Sequence, residues 1–384
     1  MLSIRLPLPR FLSAGEVFLG PGSIGALRAL NASKAVLLAS KSLVEDADMT
    51  SLLQKNLGAL EVLTLAAHPG EPTLSGLDTI LRELSVFKPD WIVAVGGGSV
   101  LDTAKLAWTF YEHPDADLEV ITRPFVVPGL RGKSRFVAVP TTAGSGSEVS
   151  SSAVFFDAET GQKRFLVSHE LLPDLVILDP VLTTKVPPRA VASAGLDALA
   201  HAIEGYVSRF TNPFADLIAE KAASVIFETL PVTFAERSDL EARLRMMEAA
   251  MLAGWVQNLK VPGVGHAVAH QMASFGIPHG IATGALLGAS ITANCSDEGV
   301  RHKYRRLAHS LNLVDEDQLI ERIQALRLRL DVAQPLSTGI SNGRSMILEK
   351  LDEICRNAMV DPCAHANPVP VTPEVVRGLL YAAL

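Results

Sequence analysis

Through the first half of the chain, short apolar runs rich in β-branched residues alternate with segments whose apolar positions recur every three or four residues. Residues 35–39 (AVLLA), 91–95 (WIVAV), 136–139 (FVAV) and 175–178 (LVIL) read as strands, and 42–57, 73–87 and 101–111 read as helices between them. Runs that are apolar on both faces suit strands covered on both sides, so the alternation predicts a doubly wound parallel sheet. Past Asp179-Pro180 the strand-like runs stop. Alanine- and leucine-rich segments at 188–208, 213–230, 240–257, 264–275, 283–293 and 318–330 take their place and read as helices. The expected division is an α/β domain over 1–182 and a helical domain over 183–384, with a ligand in the cleft between them.

Composition narrows the functions this pattern can serve. The 384 residues are 48% hydrophobic and 20% charged, and carry a formal charge of −7, which opposes a large nucleic-acid or anionic-membrane footprint and favours a small-molecule partner. Three cysteines, Cys295, Cys355 and Cys363, form no CxxC pair and suit free thiols in a reducing cytoplasm. The first eighteen residues interrupt their apolar positions with Arg5 and Arg10, which does not read as a secretory leader, and no stretch runs to the roughly 18 uninterrupted apolar residues of a spanning helix.

Two loops follow predicted strands. Gly96-Gly97-Gly98-Ser99 joins the strand 91–95 directly to a helix beginning Val100-Leu101-Asp102. Glycines admit a phosphate close to the backbone, and the helix start offers N–H groups and a partial positive charge. The run is neither a Walker A loop nor GxGxxG, and a tight strand-to-helix turn is the plain alternative. The second loop, Pro140 to Glu148 (PTTAGSGSE), follows the strand 136–139 and could hold the nicotinamide half of a dinucleotide; a solvated loop is its plain alternative.

Metal chemistry enters with Asp197 and His201, four residues apart on one predicted helix face. Alone, such a pair is most often a surface hydrogen bond. However, His266, His270 and His279, three of the chain's ten histidines, fall in largely apolar sequence, and buried imidazoles next to an Asp/His pair are economically explained by a metal. One carboxylate and three imidazoles suit Fe²⁺ or Zn²⁺, and any three of these donors still make a competent site.

These segments, GGGSVLDTAK at 96–105, PTTAGSGSEV at 140–149, LLPDLVILDP at 171–180, GLDALAHAIEGYVS at 195–208, and HAVAH with PHG within 266–280, resemble the iron-containing (group III) alcohol dehydrogenases, in that family's order and over most of the chain. The resemblance implies a Rossmann-like dinucleotide-binding domain followed by a helical metal-binding and catalytic domain, commonly assembled as a homodimer or larger homo-oligomer. It assigns Asp197, His201, His266 and His279 as ligands of Fe²⁺ or Zn²⁺, with His270 beside them as proton relay or as support for a ligand. It points to Gly97, Gly98, Ser99 and Asp102 at the cofactor phosphates, with Thr141, Thr142 and Ser145 further in, and adds Pro72, Lys163 and Arg164. The implied reaction is hydride transfer between nicotinamide C4 and an alcohol or carbonyl whose oxygen the metal polarises.

The match departs in places that bear on specificity. Ser40-Lys41-Ser42 stands where NAD-preferring members carry an acidic residue, which removes a repulsion against a 2′-phosphate and predicts that NADP(H) is accepted beside or ahead of NAD(H). Lys260 replaces a small neutral residue before His266, so a carboxylate- or phosphonate-bearing substrate is one expectation and a solvent-facing lysine the other. The segment between His270 and His279 is one residue short, and Val369 follows Asn367-Pro368 where an arginine is frequent. The rivals are a dehydroquinate-synthase-like lyase or glycerol-type metal/NAD enzyme of the same superfamily and, outside enzymes, an inactive cofactor-binding scaffold.

Overall fold

The computed structural model describes residues 14–157 and 162–384, so most of the N-terminal stretch weighed above as a leader lies outside the described residues. Six strands form one parallel sheet: β1 (Glu16–Leu19), β2 (Lys34–Ser40), β3 (Glu61–Ala67), β4 (Trp91–Gly96), β5 (Arg135–Pro140) and β8 (Leu175–Leu178), in the order β1-β8-β5-β4-β2-β3. An antiparallel hairpin, β6 (Ser152–Asp157) with β7 (Gln162–Val167), stands apart from that sheet. The four strands expected from apolar runs are the inner ones, and every residue of β4 and β8 is buried. The two unforeseen members of the sheet are its edges. β1 and β3 each begin with a glutamate and keep much of their length partly or fully exposed, so neither shows the continuous apolar run of a strand covered on both faces.

Helix boundaries shift for local reasons. The expected helix 42–57 breaks at Asp46, whose carboxylate caps a new start by accepting from the N–H groups of Asp48 and Met49, leaving Lys41–Val44 and Ala47–Leu57. Pro213–Ala235 continues past Pro231, where a stop was expected. The missing N–H removes one rung of the ladder, while Ile226 and Leu230, both fully buried, hold the helix through it.

The described chain separates into two compact units, 14–198 with 225–254, and 199–224 with 255–384. The helices Pro188–Val207, Pro213–Ala235 and Leu240–Lys260 carry the chain across this division, so position 182 marks where strands give way to helices and the units part further on. The core of the first unit is made by Leu37, Leu53, Val93, Val95, Val137 and Ile177 with their neighbours. In the second, the short helix Val264–Gln271, buried from Val264 to Ala269, packs in a core with Leu286, Ile347, Ile354, Val376 and Leu380.

Candidate functional site

The helix Pro188–Val207 carries Asp197, His201 and Glu204, at separations of four and three residues that place all three on one face. All three are buried, at 6%, 4% and 2% exposure. Asp197 puts a carboxylate oxygen within 4.8 Å of a ring nitrogen of His201, and a ring nitrogen of His266 lies within 4.8 Å of that of His201. The rings of His201 and His266 stack with centroids 4.6 Å apart, and His279 meets His266 edge-on at 5.5 Å. Three imidazoles from three helices thus converge, and their environment fixes how they can be used.

Glu204 does that fixing for His266. Its Oε2 accepts from His266 Nδ1–H at 2.6 Å and from the backbone N–H of Gly263 and His266, while Oε1 accepts from Gly265 N–H at 2.8 Å. Burial pushes this carboxyl up, but the His266 imidazole and the backbone N–H groups of Gly263 and His266 outweigh it and hold it below the usual carboxylate range. With Nδ1–H committed, the neutral ring keeps its lone pair on Nε2, the state a metal ligand needs. Position 265 has to be glycine for this carboxylate to come so close, because a Cβ there would lie 2.3 Å from Glu204 Oε1. The donor set, one carboxylate, two buried imidazoles and the half-buried His279, with one tautomer fixed by a buried anion, fits a divalent metal of the Fe²⁺ or Zn²⁺ class.

His270 sits beside this cluster, its ring stacked on His279 at 5.2 Å and edge-on to His266 at 6.3 Å. Its Nδ1–H donates to Asp361 Oδ2 at 2.8 Å. Burial raises the Asp361 carboxyl, yet the adjoining imidazole and its bonds to Cys363 bring it below the ordinary value.

In the parallel sheet, β4 and β5 are neighbours, so the two loops that follow them meet at its carboxyl edge. Gly97 and Gly98 open the helix Gly98–Glu112, and a Cβ on Gly98 would lie 2.4 Å from Ser145 Oγ, while one on Gly97 would come 3.2 Å from Thr142 Oγ1. The structure therefore brings Gly97, Gly98, Ser99, Thr142 and Ser145 together around one helix start, with Thr141 N–H bonded to Gly96 C=O. A small open pocket lies alongside, lined by Thr141, Thr142, Thr183, Thr233, Arg243 and Met246 among others.

Several expected contacts are instead committed to the protein. Asp102 accepts from Ser147 Oγ at 2.6 Å and from Val154 N–H at 3.2 Å, and burial raises its pKa against the pull of Lys105, so this carboxylate braces the second loop. Lys163 pairs with Glu71 at 2.5 Å, and Arg164 with Glu119 at 2.7 Å and Asp157 at 3.4 Å, so both cations are engaged by carboxylates of the protein. Pro72 is buried, and its carbonyl accepts from Phe156 N–H of β6. Lys260 is fully buried, donates to Tyr206 C=O at 2.8 Å and pairs with Asp216, so its charge is matched inside the protein and does not face solvent. Ser40 ends β2, with its hydroxyl 3.3 Å from that of Ser42, and no acidic side chain stands among residues 40–42.

Sequence reading missed four charged residues. Glu204 shows a signal in hindsight, its helical register with Asp197 and His201. Asp361 shows none, being 91 residues from its histidine. Lys105, fully buried, donates to Ser150 C=O at 2.8 Å, Ser152 C=O at 2.9 Å and Ser150 Oγ at 3.1 Å, with burial lowering its pKa to about 8. Glu148, also buried, is raised by burial to about 7.

Comparison with known proteins agrees with the geometry over nearly the whole chain. Residues 14–180 match the family described as iron-containing alcohol dehydrogenase, and residues 191–384 match the C-terminal part of the Fe-containing alcohol dehydrogenase family. An NADPH-dependent butanol dehydrogenase of Clostridium saccharobutylicum is 33% identical, with 98% of this chain and 97% of that protein covered. An iron-containing alcohol dehydrogenase from Thermococcus thioreducens superposes with a TM-score of 0.88 at 31% identity, over 97% of this chain and 99% of that one. A sulfoacetaldehyde reductase from Bifidobacterium kashiwanohense, solved with NAD⁺, gives 0.86 at 26% identity over 98% and 99%. Matched at both halves and along its length by these relatives, the chain belongs to the iron-containing alcohol dehydrogenase family.

Proposed function

We propose that the protein is a metal-dependent, NADP(H)-linked alcohol dehydrogenase or aldehyde reductase acting on small uncharged substrates. The observation that carries this reading is the buried imidazole cluster, with Glu204 holding the tautomer that leaves His266 Nε2 as a donor to a cation. Asp197, His201, His266 and His279 would hold the ion, which supplies Lewis acidity toward a substrate oxygen when bound. Gly97, Gly98 and Ser99 offer first-turn N–H groups to the cofactor diphosphate, and Thr141, Thr142 and Ser145 offer hydroxyls next to it. His270, its Nδ1–H given to Asp361, presents Nε2 as the acceptor for the alcohol proton and returns it in the reverse direction.

Three observations refine the proposal. No acidic side chain stands at residues 40–42 to repel a 2′-phosphate, which supports NADP(H) over NAD(H). The commitment of Lys260 to Asp216 removes the residue that suggested an anionic substrate. Three buried free thiols suit the cytoplasm, and among the described residues no helix is long and apolar enough to cross a membrane. We place the enzyme there as a homodimer or larger homo-oligomer. Metal-free protein should gain NADPH-consuming activity toward short aldehydes on addition of Fe²⁺ or Zn²⁺. If cofactor turned over without net consumption, a lyase of the same superfamily would replace this reading; if neither metal nor cofactor bound, an inactive scaffold would.

A further inference from the structure

A second group of metal-binding side chains converges next to the tetrad. His270, Asp361 and Cys363 each offer one ligand atom, a ring nitrogen, a carboxylate oxygen and a sulfur, and these lie within 4.8 Å of one another. The side chains of His270 and Asp361 are 9% and 6% exposed, and Cys363 is 6% exposed. Neighbouring elements deliver them. His270 comes from the last turn of Val264–Gln271, Asp361 caps the short helix Pro362–Ala366, and Cys363 stands in that helix with its N–H bonded to Asp361 Oδ1 at 2.8 Å. An imidazole, a carboxylate and a thiol in one buried triangle form a donor set for borderline and soft divalent ions, and the tetrad contains no sulfur.

We propose that His270, Asp361 and Cys363 form a second, thiolate-bearing site for Zn²⁺ or Cd²⁺, separate from the tetrad, and that filling it inhibits the enzyme. Binding forms metal bonds to Cys363 Sγ, Asp361 and His270 Nδ1. The thiol proton leaves to water, and no oxidation or reduction is involved. The consequence for His270 is a change of tautomer. While Nδ1–H donates to Asp361, a neutral ring accepts at Nε2; with an ion on Nδ1, the ring's one proton moves to Nε2, which becomes a donor. The inhibitory half of the proposal rests on His270 as the proton acceptor proposed above, whereas the binding half does not.

The test uses iron-loaded enzyme titrated with Cd²⁺, following thiolate-to-metal absorbance, retained iron and NADPH-linked turnover in parallel. The expected result is one equivalent bound per chain with a thiolate band and with iron retained. The band should vanish in Cys363→Ala, persist in Cys295→Ala and Cys355→Ala, and require about tenfold or more Cd²⁺ in Asp361→Asn. Turnover should fall with Cd²⁺ in the parent enzyme and hold in Cys363→Ala. Absence of the band, or a band unchanged in Cys363→Ala, overturns the second site. Binding without inhibition overturns the role given to the His270 tautomer. A failure of the proposed function shows itself separately, as absent turnover before any Cd²⁺ is added.

Discussion

Replacing Glu204 by glutamine removes one charge from beneath the metal cluster while keeping the shape of the side chain. Oε2 accepts three N–H groups, from Gly263, His266 and the His266 ring, and Oε1 accepts one, from Gly265. A glutamine therefore turns its NH₂ toward Gly265, keeps its oxygen on the other three donors, and loses one bond to a charged acceptor. That loss costs about 1.5–3 kcal/mol of stability. The His266 ring would still be oriented, but against a neutral oxygen, so the tautomer is held more weakly and metal affinity should fall by roughly 10–100-fold. Glu204→Ala should be worse on both counts, because it strands four donors in a site that is 2% exposed. Metal affinity by competition with a chromophoric chelator, and stability from the denaturant midpoint of the metal-free protein, separate the two effects. A Glu204→Gln protein that binds metal within twofold of the parent would refute the argument that this carboxylate prepares His266.

Other outcomes follow from the same contacts. Ser40→Asp should shift the ratio of kcat/KM values for NADPH and NADH toward NADH by about tenfold or more, since a carboxylate repels the 2′-phosphate; an unchanged ratio places that phosphate elsewhere. Gly98→Ala drives a methyl group against Ser145, so cofactor affinity, read by quenching or calorimetry, should fall at least about tenfold with metal content untouched. Burial raises Glu148 from 4.5 to about 7, so its stabilising contribution is complete below the ordinary carboxylate value and is lost as pH rises through 7. Lys105, depressed to about 8, acts in the other direction, its penalty easing only as pH rises past that value. Glu148→Gln should therefore abolish a decline in unfolding free energy of up to about 3 kcal/mol between the two carboxyl values, and a parallel pH profile for variant and parent would contradict it.

The inner sheet and the long helices were legible because burial on both faces, or along one helical stripe, leaves a periodic trace in the residues themselves. β1 and β3 left none, because an edge strand may mix Glu16 or Glu61 with apolar neighbours at little cost. The gathering of Asp197, His201, His266 and His279 was legible for a different reason: Asp197 and His201 share a helix face, and three histidines crowd into one apolar segment. The fate of charged side chains was not legible. Lys163, Arg164 and Lys260 each suggested an anionic ligand, and each is met by a carboxylate of the protein, at Glu71, at Glu119 and Asp157, and at Asp216. Only tertiary structure decides whether a cation is spent on the fold or kept for a ligand.

The helix Pro188–Val207 places Asp197, His201 and Glu204 by rotation alone, which gives its length a meaning that its composition lacks. Deleting any one residue between Asp197 and His201 would swing the imidazole by about 100° around the helix axis relative to the carboxylate. The apolar residues there can drift among similar volumes over evolutionary time, but the count between them cannot. In engineered descendants of this chain, insertions and deletions should accumulate in the connecting loops and spare this segment, where a single lost residue undoes three functional side chains together.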